Sequence, residues 1–312
     1  MGQHILVTGG AGYLGSIMVP ALLEAGHQVT VLDNFMYRQN TLAQCCIEPR
    51  FNVVRGDIRN SAVLKPLLAR ADIVIPLAAL VGAPLCAQDP VGASSVNHDA
   101  IKMMLGLLGR QQHILMPTTN SAYGSGDQDH YCDEESPLRP ISQYAIDKVA
   151  VERHLMEHPN AISFRLATVF GMAPRMRCDL LVNDFAYRAV NDRFVVLFES
   201  HFKRNYLHVR DVARVFLHGI AEHARMRGQI YNVGLADANV SKRELCEIIQ
   251  RHVPDFVFLE AGVGRDPDQR NYIVSNAKLE GTGFCTAYPL DAGIEELVKG
   301  YQMVRNNAYS NV

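Results

Sequence analysis

The sequence has no excess of either charge: 30 Lys and Arg stand against 32 Asp and Glu, a formal net charge of −2. A duplex-binding chain would show a basic excess or a basic stripe, so nucleic acid is not an expected partner. The seven cysteines contain no Cys-x-x-Cys pair and are odd in number, which fits a reducing compartment better than a disulfide framework. Adjacent Cys45 and Cys46 read as two partly buried small side chains. The twelve histidines include no His-Glu-x-x-His, and no cysteine–histidine spacing suggests zinc, so no metal is expected. No apolar run reaches the length of a membrane span, and no basic leader precedes an apolar stretch with a cleavage site. A cytoplasmic location without a membrane partner is the expectation. Repeats, low-complexity tracts and flexible linkers are missing as well.

What is present is an ordinary globular composition, 48% hydrophobic and 20% charged over 312 residues, enough to bury a sizeable core. The first half alternates strand-like and helix-like runs. Strands are expected at Ile5–Val7, Val29–Leu32, Val53–Val54, Ile73–Ile75 and Ile114–Met116, with helices over Leu14–Ala25, Ser61–Ala69 and Asn97–Leu108. This alternation predicts an α/β fold, a doubly wound, Rossmann-like parallel sheet. From Thr118 to Ile141 the pattern is that of a long loop, placed where an open α/β sheet meets its ligand, and it reads as active-site wall. Later, Ile162–Leu166 and Ile230–Val233 read as strands. Asp179 is a candidate cap for a helix through Val190, Val209–His223, Ser241–His252 and Leu290–Val304 read as helices, and Ser241 with Glu244 has capping-box spacing. The expected division is a dinucleotide domain over 1–166, rejoined by segments near 205–235, and a smaller substrate lobe over 167–312.

Between the first strand and first helix lies Thr8-Gly9-Gly10-Ala11-Gly12-Tyr13-Leu14-Gly15. Glycines at Gly9, Gly12 and Gly15 allow positive φ and close backbone approach, and the helix start offers N–H groups to a pyrophosphate. Asp33 follows the second strand, 18 residues beyond Gly15. A carboxylate there accepts hydrogen bonds from both adenosine ribose hydroxyls and repels a 2′-phosphate, so NAD is expected rather than NADP. Asp57, after the third strand, reads as an adenine-edge contact or equally as a turn cap. Tyr144 and Lys148 stand four residues apart, one helical turn. A phenol of ordinary pKa is a poor base at neutral pH; a nearby ammonium favours its phenolate, so the pair can take a hydroxyl proton.

Together these motifs resemble the extended short-chain dehydrogenase/reductases that act on nucleotide sugars, over essentially the whole chain. Gly9-x-x-Gly12-x-x-Gly15, Asp33-Asn34, Leu77-Ala78-Ala79, Asn97, Thr119, Tyr123-Gly124, Tyr144-x-x-x-Lys148 and Arg165-x-x-x-Val169-Phe170-Gly171 fall in family order. The resemblance implies a catalytic set of Thr119, Tyr144 and Lys148. It implies dinucleotide contacts from Tyr13, Leu14, Asn34, Ile58, Leu77, Ala78, Ala79, Asn97 and Thr118 beside the glycines and Asp33. Arg204, in Arg204-Asn205-Tyr206-Leu207-His208-Val209-Arg210-Asp211, and Arg265 are similar to the family's pyrophosphate-binding arginines. Thr119, Asn120, Ser121, Thr168 and Arg175 complete the expected substrate set, although Thr168 stands where the family usually has Asn. Cys86, His130, Cys132 and Glu135 border the same region and read as ordinary packing or surface rather than catalysis.

The family's 4,6-dehydratases carry an acidic pair directly after the catalytic threonine; Asn120-Ser121 here disfavours dehydration. The expected reaction is nucleotide-sugar epimerisation through a keto sugar, with a dehydrogenase or ketoreductase as alternative. A dinucleotide sensor on the same fold would be expected to lack the Tyr, Lys and Thr set. The resemblance also implies a homodimer.

Overall fold

The computed structural model describes residues 2–124, 131–262 and 270–304. Seven parallel strands form its centre. In sheet order they are β3 (Phe51–Arg55), β2 (Gln28–Asp33), β1 (His4–Thr8), β4 (Ile73–Pro76), β5 (His113–Thr119), β7 (Ala161–Leu166) and β11 (Gln229–Val233). The order reverses between β1 and β4, so a crevice opens beyond their C-terminal ends, where an open α/β sheet takes its ligand. β1, β4 and β7 have every residue but one buried, the pattern of parallel strands covered on both faces.

The helices α1 (Gly15–Glu24) and α8 (Val209–Ala221) cover one face, packing Met18, Leu22, Val212 and Phe216 against Ile5, Val7 and Phe164. On the other face lie α2 (Ser61–Leu68), a segmented helix and α6 (Gln143–Leu155), whose Leu64, Met104, Val151 and Leu155 pack with Leu6, Val74 and Ile114. The segmented helix begins earlier than its periodicity suggests: α3 (Ala83–Gln88), α4 (Pro90–Ser94), a π-turn over Ser95–Asp99, then α5 (Ala100–Leu107). The π-turn carries fully buried Asn97, whose amide exchanges two hydrogen bonds with the Leu80 backbone. Such turns recur where a helix must aim one side chain inward.

The remainder forms a lobe around a second core that includes Phe170, Val182, Tyr206, Leu245, Phe256, Ile294 and Tyr301. Its small sheet runs β12 (Asn239–Ser241), β10 (Lys203–His208), β8 (Thr168–Phe170). Around it are α7 (Leu181–Asn191), α10 (Lys242–His252) and α12 (Leu290–Gly300), whereas α9 (His223–Met226) and α11 (Ala277–Glu280) join the first core through Met226 and Leu279. The capping box of α10 forms as its spacing predicts, Ser241 and Glu244 bonding reciprocally. Asp179 is not the cap of α7. The preceding Leu180 makes no side-chain cap, and Asp179 is engaged by Arg177 at 2.5 Å instead. Cys45 is buried but Cys46 is exposed, so the adjacent cysteines are not alike.

Two short strand pairs complete the molecule. β9 (Phe194–Leu197) pairs parallel with β13 (Val257–Glu260), setting Phe194 beside Val257 and Val196 beside Leu259, all exposed. β6 (Tyr131–Cys132) pairs with β14 (Ile273–Val274). The stretch read as one long loop thus holds the end of β5, a 3₁₀ turn over Asn120–Tyr123 and β6. Among the described residues no helix is long and apolar enough to cross a membrane.

Candidate active site

The crevice is a cavity of about 340 Å³ running from the glycine turn to the ends of β5 and α6. Its cofactor end is built by close backbone packing. Gly9 has φ +69°, and a Cβ there would stand 2.5 Å from the Ala78 backbone; one on Gly15 would stand 2.2 Å from the Gly10 carbonyl oxygen. No side chain caps α1, so its first turn faces the cavity as a positive end. Asp33 is fixed by the N–H groups of Ala11 (2.9 Å) and Phe35 (2.7 Å), which aim its carboxylate along the same wall. A glycine cradle, an open helix start and an oriented carboxylate fit a dinucleotide with a free ribose diol. Asn34, Asp57, Ile58, Leu77, Ala78, Ala79 and Thr118 line the cavity with them. Asp57 is also clamped by Arg59 (2.6 Å), which holds its carboxyl below the usual range.

At the other end α6 starts at Gln143, with Ser142 accepting from the Ala145 N–H as its cap. Tyr144 and Lys148 therefore share one face, the ammonium 6.0 Å from the phenol ring centre. Burial pushes the Tyr144 phenol up to about 12, against the pull of Arg177 and Arg270. Burial brings the Lys148 ammonium down to about 8, resisted by Cys86 and Asp147, and Lys148 donates to the Pro117 carbonyl at 3.4 Å. Thr119 lines the cavity at the end of β5, and its hydroxyl accepts from the Ser121 N–H at 3.1 Å. Behind this corner, Glu152 of α6 binds Arg165 of β7 at 2.6 Å and receives the hydroxyls of Thr118 (2.9 Å) and Ser163 (2.7 Å). Arg165 continues to the Tyr123 hydroxyl at 3.0 Å. A buried, fully bonded network of this kind locks α6 against the sheet.

The expected residues divide three ways. Thr119, Ser121, Tyr144, Lys148, Thr168 and Arg175 line the cavity with the dinucleotide set. Asn97, Asn120 and Arg204 do not. Asn97 pins the Leu80 backbone beneath the cavity floor, Asn120 is fully buried in the 3₁₀ turn, and Arg204 is buried in the small sheet opposite Val240. Arg265 and His130 lie outside the described residues. Cys86 and Cys132 are packed as expected: Cys86 donates to the Leu80 carbonyl, with its thiol pushed up by burial, and Cys132 sits in a cluster with Tyr123 and Tyr272. Glu135 is exposed and off the cavity.

Among the lining residues not assigned from sequence are Tyr37, Arg177 and Arg270. Arg270 donates to the Ser121 hydroxyl. It arrives there because β14 joins β6, a pairing between distant segments with no local sequence signal. Arg177 stands two residues beyond Arg175 and pairs with Asp179. Among the described residues no group of three potential ligands could hold a metal ion.

Comparison with known proteins agrees with this geometry. Residues 5–234 match the model of the NAD dependent epimerase/dehydratase family. The chain is 29% identical to a dTDP-glucose 4,6-dehydratase of Actinoplanes sp., covering 97% of this chain and 99% of that one. It is 30% identical to a dTDP-glucose 4,6-dehydratase of Streptomyces niveus, covering 81% of each. Its fold is shared with the UDP-glucose 4-epimerase of Thermus thermophilus in complex with NAD, at TM-score 0.83 and 24% identity, covering 96% of this chain and 99% of that one. The protein belongs to the NAD-dependent epimerase/dehydratase family.

Proposed function

We propose that this protein is a nucleotide-sugar epimerase that oxidises a ring hydroxyl, C4 being the expected position, and reduces the resulting carbonyl from the opposite face. One observation carries the reading. Among the described residues lining the cavity the only carboxylates are Asp33 and Asp57, both at the cofactor end. Loss of water needs an acid to protonate the departing hydroxyl, and the reacting corner offers Ser121 held by Arg270 in that place.

In this reading Tyr144 takes the proton of the sugar hydroxyl and returns it when the carbonyl is reduced. Thr119 hydrogen-bonds the same oxygen. Lys148, one turn along α6, keeps a positive charge beside the phenol while its own pKa stays above neutral. When bound, NAD would supply the hydride acceptor and later the hydride donor. Asp33 holds the adenosine ribose. Arg177 and Arg270 supply positive charge around Tyr144 and suit the diphosphate of the sugar nucleotide.

A second reading, 4,6-dehydration, is favoured by the names of the relatives at 29% and 30% identity. One screen separates the reactions. Purified protein is incubated with UDP-, GDP-, CDP- and dTDP-sugars, and products are read by NMR and mass spectrometry without added reductant. Epimerisation gives an isomer of unchanged mass. A product lighter by one water overturns it in favour of dehydration, and net NADH accumulation does so in favour of a dehydrogenase.

A further inference from the structure

From Gly171 to Arg177 the chain leaves β8 and crosses the start of α1. One side chain holds both ends of this crossing. Fully buried Asn183 of α7 accepts from the Gly171 N–H at 3.0 Å and donates to the Arg177 carbonyl at 2.9 Å. The same amide nitrogen lies 3.3 Å from the Tyr13 hydroxyl, which donates to the Gly171 carbonyl at 2.7 Å. Tyr13 belongs to the glycine turn, so the crossing is fastened directly to the cofactor cradle.

Arg175 is carried at the middle of the crossing. Its N–H reaches the Ser16 hydroxyl in the first turn of α1 at 3.4 Å. Its guanidinium carbon stands 4.0 Å from the ring centre of Tyr37, four residues beyond Asp33. It is 1% exposed and lines the same cavity as Gly12 and Gly15. A cation beside the start of a helix is repelled by the positive end of the macrodipole, and an anion between the two reverses the sign of both interactions.

We propose that Arg175 binds the pyrophosphate of the dinucleotide, not the substrate, and that Asn183 is the positioning residue that delivers it from the lobe. The inference rests on the glycine turn as the NAD site and is independent of which reaction follows. Tyr37 stacks on the guanidinium, and one of its nitrogens donates to the Met176 carbonyl, so the side chain is held in place at the cavity wall.

The test is calorimetric titration of protein freed of copurified dinucleotide with NAD, ADP-ribose and adenosine, and of NAD-loaded protein with UDP and dTDP. R175M is expected to weaken NAD and ADP-ribose by about 10- to 100-fold. Adenosine, which carries no phosphate, keeps its affinity, as do UDP and dTDP. R175K, which keeps the charge but loses the fork, shows the same selectivity with a smaller loss, and it carries the comparison if R175M does not fold. Unchanged NAD affinity, a loss shared equally by adenosine, or a loss confined to UDP and dTDP overturns the proposal. A failure of the epimerase reading would leave these NAD titrations as they are.

Discussion

Tyr144 and Lys148 are each moved by burial toward their neutral forms, the phenol up to about 12 and the ammonium down to about 8. Their consequences for turnover and stability differ. Tyr144→Phe removes the proton carrier and leaves the cavity shape, so turnover should fall by roughly 10²- to 10⁴-fold while NAD binding by titration is unchanged. Full residual turnover would dismiss Tyr144 as base. Lys148 has the opposite sign of benefit. Its folded pKa lies below the ordinary 10.5, so the unfolded chain binds the proton more tightly, and stability rises with pH between about 8 and 10.5. Lys148→Met should therefore lose turnover yet raise the melting temperature at pH 7, with the gain shrinking as pH rises through that window. A lower melting temperature at pH 7 would contradict this. Both residues are legible in sequence because four-residue spacing is a local property of a helix. Arg270 is legible only as a member of the stretch 265–272, which is similar to the family's phosphate-binding arginine segment; its approach to Ser121 depends on a strand pair formed by distant segments.

The element that matters most for the chemistry is α6, with an apolar seam at Val151 and Leu155 and a buried carboxylate, Glu152, facing Arg165. Removing one partner of such a pair leaves an uncompensated buried charge, so Glu152→Ala should cost about 3–5 kcal/mol. Urea unfolding would measure it; a loss within about 0.5 kcal/mol, the range of an ordinary surface change, would remove the network from any role in holding α6. At this scale the sequence is readable where one period persists. The strands from β1 to β5 and the helices α1 and α2 fall where their sequence pattern places them, whereas α6 is announced only by the Tyr144–Lys148 spacing, since it buries Asp147, Lys148 and Glu152 among its apolar residues. β10 escapes notice because it buries Arg204, Asn205 and His208, polar residues whose contacts, such as Asn205 with the Leu235 carbonyl and His208 with Glu296, no periodicity records. The two-residue strands β6 and β14 are too short to carry a period at all.

Across the whole molecule, the order of the central sheet puts the switch between β1 and β4 beneath the cavity, so the place of the site follows from topology before any residue is named. The lobe is less readable, since its core joins short segments scattered over half the chain. One of its features bears on how the protein behaves in a tube. The face of β9 and β13 shows Phe194, Val196, Val257 and Leu259 between 41% and 56% exposed. With a net charge of only −2, long-range repulsion between molecules is weak. Leu259→Lys should therefore lower light scattering in concentrated solution while turnover holds, and scattering equal to wild type would clear the face of blame. The limit on handling this protein at high concentration is then colloidal, set by a small sticky ribbon away from the catalytic crevice, and can be lifted without touching the chemistry.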